Sequence, residues 1–324
     1  MEKGRGSLED MERLKVAITG ASGFVGANLI RYLDEKHEVY SLTRSRNSWR
    51  VGNSFNTINF DIRNRDRVYE ILKQLKPDLL IHCATFGGYH FEMGTREIVE
   101  TNVIGSLNVI NASASIPMVI NVGSSSEYGV KLAPMREEDI SAPISDYAMS
   151  KALQTSLFRS IPNSITLRLF SVFGYYEEKH RLIPYLLYSS IKDQKALLSN
   201  KKNVRDFVFV EDVCRAFSLV IENFEKIEKR SVFNIGSGEQ KTVENVVNEL
   251  KVNVEWNSSV REKEPSQMWQ ADITKIREEV GWEPRNSLRE GLRKTRMWME
   301  KNIELYEVDN NDKLTIFRQN STTA

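Results

Sequence analysis

The stretch Val16-Ala17-Ile18-Thr19-Gly20-Ala21-Ser22-Gly23-Phe24-Val25-Gly26 decides the reading of this chain. An apolar, β-type run reaches a glycine, two more glycines follow at intervals of three, and a helical pattern takes over from Asn28 to Lys36. A strand that feeds a glycine-rich turn into a helix start presents unpaired backbone N–H groups and the positive end of the helix dipole. A pyrophosphate fits there without any cationic side chain. Gly20 permits the tight turn, Gly23 lets the backbone approach the phosphates, and Gly26 lets the helix lie close to the strand. The spacing is Gly-x-x-Gly-x-x-Gly rather than the more usual Gly-x-Gly-x-x-Gly. The flanking strand and helix therefore carry the reading, not the glycines alone.

Working outward, further apolar β-type runs occupy 39–42, 57–60, 79–83, 118–122 and 165–170, with helical patterns such as 65–75 and 96–114 between them. That alternation predicts an α/β fold, a doubly wound parallel sheet covered by helices on both faces. Ligands of such sheets bind beyond the carboxyl ends of the strands. After Gly174 the pattern loosens into short strands and helices (helical at 181–191, 213–224, 243–250 and 274–281; β-type at 204–210 and 233–235). The division expected is a dinucleotide-binding domain at 12–174 plus 204–237 and a smaller, interleaved substrate lobe at 175–203 plus 238–302. Residues 1–11 and 303–324, polar and aperiodic, are expected to be loose tails.

The chain has 324 residues and a net charge of +1, so nothing in its charge calls for a nucleic acid or an anionic membrane as partner. Two cysteines far apart, Cys83 and Cys214, make neither a disulfide framework nor a thiolate zinc site. The histidines show no metal-ligand spacing, and no run is long enough to span a membrane. The expectation is a cytoplasmic enzyme without a metal.

The fifth β run ends in Gly123-Ser124-Ser125-Ser126-Glu127-Tyr128-Gly129, and Tyr147-Ala148-Met149-Ser150-Lys151 follows. Positions four apart share a helix face, so Tyr147 and Lys151 are expected to meet at one site. A nearby ammonium favours the phenolate and would lower the tyrosine pKa toward working pH. Tyrosine then becomes a proton donor or acceptor at a carbonyl or alcohol. The spacing alone says little, since Tyr32/Lys36, Tyr69/Lys73, Tyr175/Lys179 and Tyr188/Lys192 share it. What separates Tyr147 is its place after a serine cluster at a strand's carboxyl end.

With these motifs in hand the chain resembles the extended branch of the short-chain dehydrogenase/reductase superfamily, the NAD(P)-dependent nucleotide-sugar epimerase/dehydratase/reductase group with its Rossmann-type sheet. The glycine motif, Ser124–Tyr147–Lys151, Asp61-Ile62, His82-Cys83-Ala84, Thr101-Asn102-Val103, the run from Leu167 to Gly174, Arg205-Asp206-Phe207-Val208-Phe209-Val210, Phe233-Asn234-Ile235-Gly236 and Gly281-Trp282-Glu283-Pro284 carry the likeness across about residues 13 to 300. The resemblance implies Ser124, Tyr147 and Lys151 as catalytic residues. It implies a cofactor site of Gly20, Gly23, Phe24, Val25, Gly26, Arg44, Asp61, Ile62, Cys83, Ala84, Thr85, Asn102, Tyr147 and Lys151. Asp61 would hold the adenine amino group, Lys151 would bond the nicotinamide ribose, and Asn102 would kink its helix. Phe86, Ser125, Ser126, Ser171, Arg205 and Arg261 would contact a nucleotide-diphosphate sugar, the two arginines gripping its diphosphate. The loop from Phe86 to His90 would line the sugar pocket, and the helices at 96–114 and 147–161 would form a homodimer.

Three departures from the family pattern narrow the expectation. After the second strand stand Thr43-Arg44-Ser45-Arg46, where an enzyme choosing NAD carries an acidic residue for the ribose 2′-OH. NADP is therefore expected, with NAD as the alternative. Ser125 and Ser126 occupy the positions where 4,6-dehydratases carry carboxylates, and Glu127 comes one step late, pointing to the other side of an extended segment. Ser171 replaces an asparagine common in 4-epimerases. The expected activity is reduction of a 4-keto group on a nucleotide-diphosphate sugar, with an NAD-dependent 4-epimerase as the alternative and a non-catalytic cofactor sensor as a remoter one.

Overall fold

The computed structural model describes residues 13–44, 48–52, 55–88, 94–257 and 268–307. Its first half runs β1 (Lys15–Thr19), α1 (Phe24–Asp34), β2 (Glu38–Thr43), β3 (Asn56–Asn59), α2 (Arg65–Leu75), β4 (Leu79–His82) and α3 (Thr95–Val99). A π-helical stretch, Glu100–Gly105, joins α3 to α4 (Ser106–Ala112). Then come β5 (Met118–Ser124), a one-turn 3₁₀ helix (Ser125–Tyr128), α5 (Asp146–Phe158) and β6 (Ser164–Leu169). The second half continues β7 (Ser171–Phe173), α6 (Leu182–Ile191), β8 (Ala196–Leu198), β9 (Val204–Phe209), α7 (Val210–Glu222) and β10 (Val232–Ile235). It closes with β11 (Gln240–Thr242), α8 (Val243–Leu250), β12 (Val254–Trp256), α9 (Thr274–Val280) and α10 (Leu288–Lys301).

Seven strands form one sheet in the order β10-β6-β5-β4-β1-β2-β3, every pairing parallel. The chain winds outward from β1 in one direction and returns to wind the other way, the Rossmann-type arrangement the glycine turn implied. The apolar runs are unbroken because both faces are covered. Val16, Ile18, Leu79, Ile81 and Ile120 face one core with Leu29, Ile30 and Phe217 of α1 and α7. Their strand neighbours Ala17, Leu80 and Val119 face the other, with Val68, Ile71 and Phe158 of α2 and α5. Helix starts follow local chemistry: the Asn64 side chain accepts from Arg67 N at 3.1 Å to start α2, and Ser145 accepts from Ala148 N at 3.2 Å to start α5. Asn64, three residues after Asp61, is thus the cap of α2, and the Asp61 side chain is left for other contacts.

A small sheet, β11-β9-β7, and a two-stranded pair, β12-β8, lie outside the main one. The 3₁₀ turn Ile303–Tyr306 does not belong to a loose tail. Tyr306 is buried, its ring edges onto Trp49 and Trp298, and its hydroxyl donates to the Glu177 carbonyl at 3.0 Å. Its aromatic surface, not the polar residues around it, decides its place. No helix among the described residues is long and apolar enough to cross a membrane.

Candidate active site

The glycine-rich turn is pressed onto the end of β4. Gly20 has φ +66°, and a Cβ there would stand 2.5 Å from the Ala84 backbone. A Cβ on Gly26 would stand 2.6 Å from the Gly20 carbonyl, so α1 starts in contact with the turn itself. Gly23 is the N-cap of α1 and no side chain caps it, leaving the helix start to backbone groups. This cradle of absent Cβ atoms at a strand-to-helix turn fits the pyrophosphate of a dinucleotide. Beside it, Thr43 Oγ1 at the end of β2 donates to Ser22 Oγ at 2.9 Å, and among the described residues no carboxylate follows Thr43 on that strand. Arg44 is exposed there, and Arg46 lies outside the described residues.

Asp61, after β3, receives a fork of hydrogen bonds from Arg63 (2.6–3.0 Å), which holds its carboxyl below the usual range. Ile62 follows it, buried, and its carbonyl accepts from Asn108 at 3.0 Å. Past β4, Cys83 is half-buried with its thiol pushed up to about 12 by burial. His82 is buried between Thr19 Oγ1 (2.7 Å) and Ser106 Oγ (3.0 Å), and burial pulls its pKa down to about 3. Ser106 donates to the Asn102 carbonyl, so the His82 proton sits on Nε2 and Nδ1 accepts from Thr19. His82 is thus a neutral core histidine.

Asn102 stands in the π-helical stretch, fully buried. Its Oδ1 accepts from Phe86 N at 2.7 Å and its Nδ2 donates to Phe86 O at 2.8 Å and Ser150 Oγ at 2.9 Å. Ser150 donates in turn to the Tyr147 carbonyl at 2.7 Å. A wide turn lets this side chain satisfy a loop backbone and a neighbouring helix together, which an ordinary helical position would not. The Thr85–Phe86 loop is thereby tied to the first turn of α5.

Ser124 ends β5, and its Oγ lies 2.6 Å from Ser126 Oγ. The Tyr147 hydroxyl has Ser124 and Thr85 as hydrogen-bonding neighbours and Arg181 as a nearby cation. Burial nevertheless raises the Tyr147 pKa, and the three neighbours only oppose that rise. The expected lowering by Lys151 is not what the geometry produces. The Lys151 ammonium donates to the Val122 carbonyl and to Gln154 Oε1, both at 2.6 Å, while burial brings its pKa down to about 8. A spacing of four brought the two residues to one helix face but could not reveal which acceptors compete for the ammonium.

The reason expected for setting Glu127 aside also changes. The chain does not stay extended after Ser124 but turns into the 3₁₀ helix, and Glu127 curls back under it. Its carboxylate accepts from Ser124 N at 2.7 Å and pairs with Arg168 at 2.9 Å, wholly buried. Ser125 Oγ accepts from the Trp269 indole N–H at 3.1 Å. The same indole ring lies 4.8 Å beneath the Arg205 guanidinium on β9, so one side chain joins the serine turn to that arginine. Ser171, on β7, is partly exposed; Arg261, Tyr89 and His90 lie outside the described residues. No group of three His, Cys, Asp or Glu among the described residues is placed to hold a metal.

A model of the NAD-dependent epimerase/dehydratase family matches residues 16–236. The chain belongs to that family. It is an enzyme of the extended short-chain dehydrogenase/reductase kind, built on the nucleotide-sugar dehydratase and epimerase plan. The low-salt glycan biosynthesis protein Agl12 of Haloferax volcanii is 26% identical, the match covering 86% of this chain and 96% of that protein. GDP-6-deoxy-D-talose 4-dehydrogenase of Aggregatibacter actinomycetemcomitans is 28% identical over 65% of this chain and 72% of its own length. The structure of dTDP-glucose 4,6-dehydratase from Bacillus anthracis in complex with NAD superposes with a TM-score of 0.80 at 22% identity, covering 91% of this chain and 99% of that one.

Three residues of this family member escaped the sequence reading. Trp269 and Arg181 stand far along the chain from the residues they approach, Ser125 and Tyr147. Arg50, buried, donates to the Ser22 carbonyl at 3.3 Å and the Tyr176 carbonyl at 2.7 Å, and pairs with Glu178 at 2.7 Å, tying the glycine turn to the segment before α6. No local periodicity marks any of the three.

Proposed function

We propose that this chain is an NADP(H)-dependent reductase of a 4-keto sugar carried on a nucleoside diphosphate. The observation that carries the reading is the fate of the turn after Ser124. Ser125 and Ser126 stand where elimination of water needs carboxylates, and Glu127 is locked to Arg168. What remains beside Ser124 is a tyrosine hydroxyl, a set suited to moving one proton at a carbonyl oxygen. The relative named as a 4-dehydrogenase supports redox chemistry at that carbon.

In this reading the glycine turn and the start of α1 hold the pyrophosphate. Thr43, Ser22 and Arg44 receive the 2′-phosphate, and Lys151 bonds the nicotinamide ribose. The nicotinamide, when bound, supplies the hydride. Tyr147 gives its hydroxyl proton to the carbonyl oxygen as charge develops there, and Ser124 donates a hydrogen bond to the same oxygen. Arg181 stabilises the phenolate left behind, and a raised tyrosine pKa keeps the acid protonated for that task. Arg205, seated on Trp269, meets the diphosphate. Val99, Ile104, Met149 and Leu153, exposed on neighbouring elements around α3 and α5, support a homodimer through that face, checked by mass in solution.

The test is incubation of the purified chain with NADPH or NADH and a panel of 4-keto nucleotide sugars, with wild type beside Tyr147→Phe. The expected outcome is stoichiometric oxidation of NADPH, reduction at C4, and loss of most turnover in Tyr147→Phe with cofactor binding retained. Inversion at C4 of an ordinary nucleotide sugar without net cofactor consumption would replace this reading by the 4-epimerase.

A further inference from the structure

We propose that Gln154 is a positioning residue that anchors the Lys151 ammonium through a buried relay of amides reaching into the centre of the sheet. The inference rests on Lys151 belonging to the site as proposed above. Lys151 and Gln154 stand three positions apart on α5, on one face of the helix. Gln154 is fully buried, and its Oε1 accepts from Lys151 Nζ at 2.6 Å. Its Nε2 donates to Asn121 Oδ1 on β5 at 2.9 Å, and Asn121 Nδ2 donates to Thr166 Oγ1 on β6 at 3.3 Å. Asn121 and Thr166 are register partners in the parallel sheet, where strands covered on both faces otherwise bury apolar side chains.

The polarity of the relay follows from its end. An ammonium only donates, so Gln154 must offer it the carbonyl oxygen and turn its NH₂ toward Asn121, which must then turn its own NH₂ toward Thr166. Burying two amides and a hydroxyl costs free energy unless each is paired, and here each is. Apolar residues would fill the same space with no such requirement. What the amides add is a second acceptor, beside the Val122 carbonyl, for a cation that has left water. The titratable groups facing that cation are Glu127 from the 3₁₀ turn, and His82 and Cys83 at the end of β4. Among the described residues none of these hydrogen-bonds the ammonium, so the geometry assigns its placement to Val122 and Gln154.

The test uses the full chain labelled with ¹³C at lysine Cε, with Lys151→Met to assign the resonance. Wild-type Lys151 is expected to titrate below the exposed lysines. Gln154→Leu should move its midpoint down by about one pH unit and Gln154→Glu should move it up, because the first removes an acceptor and the second adds a charge. If Gln154→Leu strands Asn121 and folds poorly, the Asn121→Leu/Gln154→Leu double variant removes the relay whole and should show the same downward shift. Unchanged Lys151 titration in folded variants overturns the inference. Turnover separates it from the reading beneath it. Inactive Lys151→Met together with wild-type titration and turnover in the Gln154 variants sinks the relay and leaves the site reading standing. Fully active Lys151→Met sinks both.

Discussion

Glu127 pairs with Arg168 at 2.9 Å while its other oxygen accepts the Ser124 N–H at 2.7 Å, so one buried carboxylate binds the serine turn to β6. Arg168 also lies over the Tyr128 ring, 4.3 Å from its centroid. Removing one member of a buried pair leaves the other charge uncompensated, which commonly costs about 3–5 kcal/mol. Glu127→Ala should lose stability on that scale in denaturant unfolding, and Arg168→Met, which keeps volume but strands Glu127, should lose a comparable amount. A loss under about 1 kcal/mol, the range of a surface pair, would show that the pair does not hold the turn.

Trp269 offers two separable contacts. Trp269→Phe keeps an aromatic face for Arg205 but removes the N–H that reaches Ser125, whereas Trp269→Ala removes both. A stacked guanidinium is worth about 0.5–2 kcal/mol, so the alanine variant should weaken nucleotide-sugar binding about tenfold and the phenylalanine variant much less. Calorimetric titration with the nucleoside diphosphate alone checks this. Equal losses in both variants would place the effect on the Ser125 hydrogen bond instead.

Thr43, hydrogen-bonded to Ser22 at the end of β2, occupies the place from which a carboxylate would accept the ribose 2′-OH. Thr43→Asp should repel a 2′-phosphate and accept a 2′-hydroxyl. The ratio of NADH to NADPH affinity, read by fluorescence titration, should rise at least about tenfold, or roughly 1.4 kcal/mol. A ratio that does not move would detach cofactor choice from this corner.

Glu177 is buried beside Arg181, Glu178 and Arg50, one of its oxygens lacks a hydrogen-bond partner, and burial raises its pKa to about 8. Between its ordinary value and about 8 the folded chain binds the extra proton, so its contribution to stability is present at acid pH and is lost as pH rises through about 8. Glu177→Gln, always neutral, should match the wild type near pH 5 and exceed it in Tm by a few degrees near pH 9. Parallel Tm–pH curves for the two proteins would show that Glu177 ionises freely.

Much of the fold was legible because each signal is local. The glycine turn, the β-type runs from Lys15 to Leu169 and the helix ending at Gly281 each reflect a backbone preference or a burial pattern within a few residues. The serine cluster and Tyr147 were likewise visible as residue types at the ends of elements. Asn102 was visible through its resemblance to a family position, and its π-helical turn supplies the physical reason for a buried asparagine there.

The sequence by itself determined that strands alternate with helices, that a dinucleotide cradle opens the chain, and that no acidic residue follows the second strand. Tertiary structure alone decided where charge and hydrogen bonds go. Lys151 turns to Val122 and Gln154 rather than toward Tyr147. Glu127 finds Arg168 across 41 residues, and Trp269 reaches Ser125 across 144. Such partners meet because an ammonium, a carboxylate or an indole N–H leaving water must be satisfied by whatever the packed core brings within about 3 Å, and separation along the chain places no limit on that.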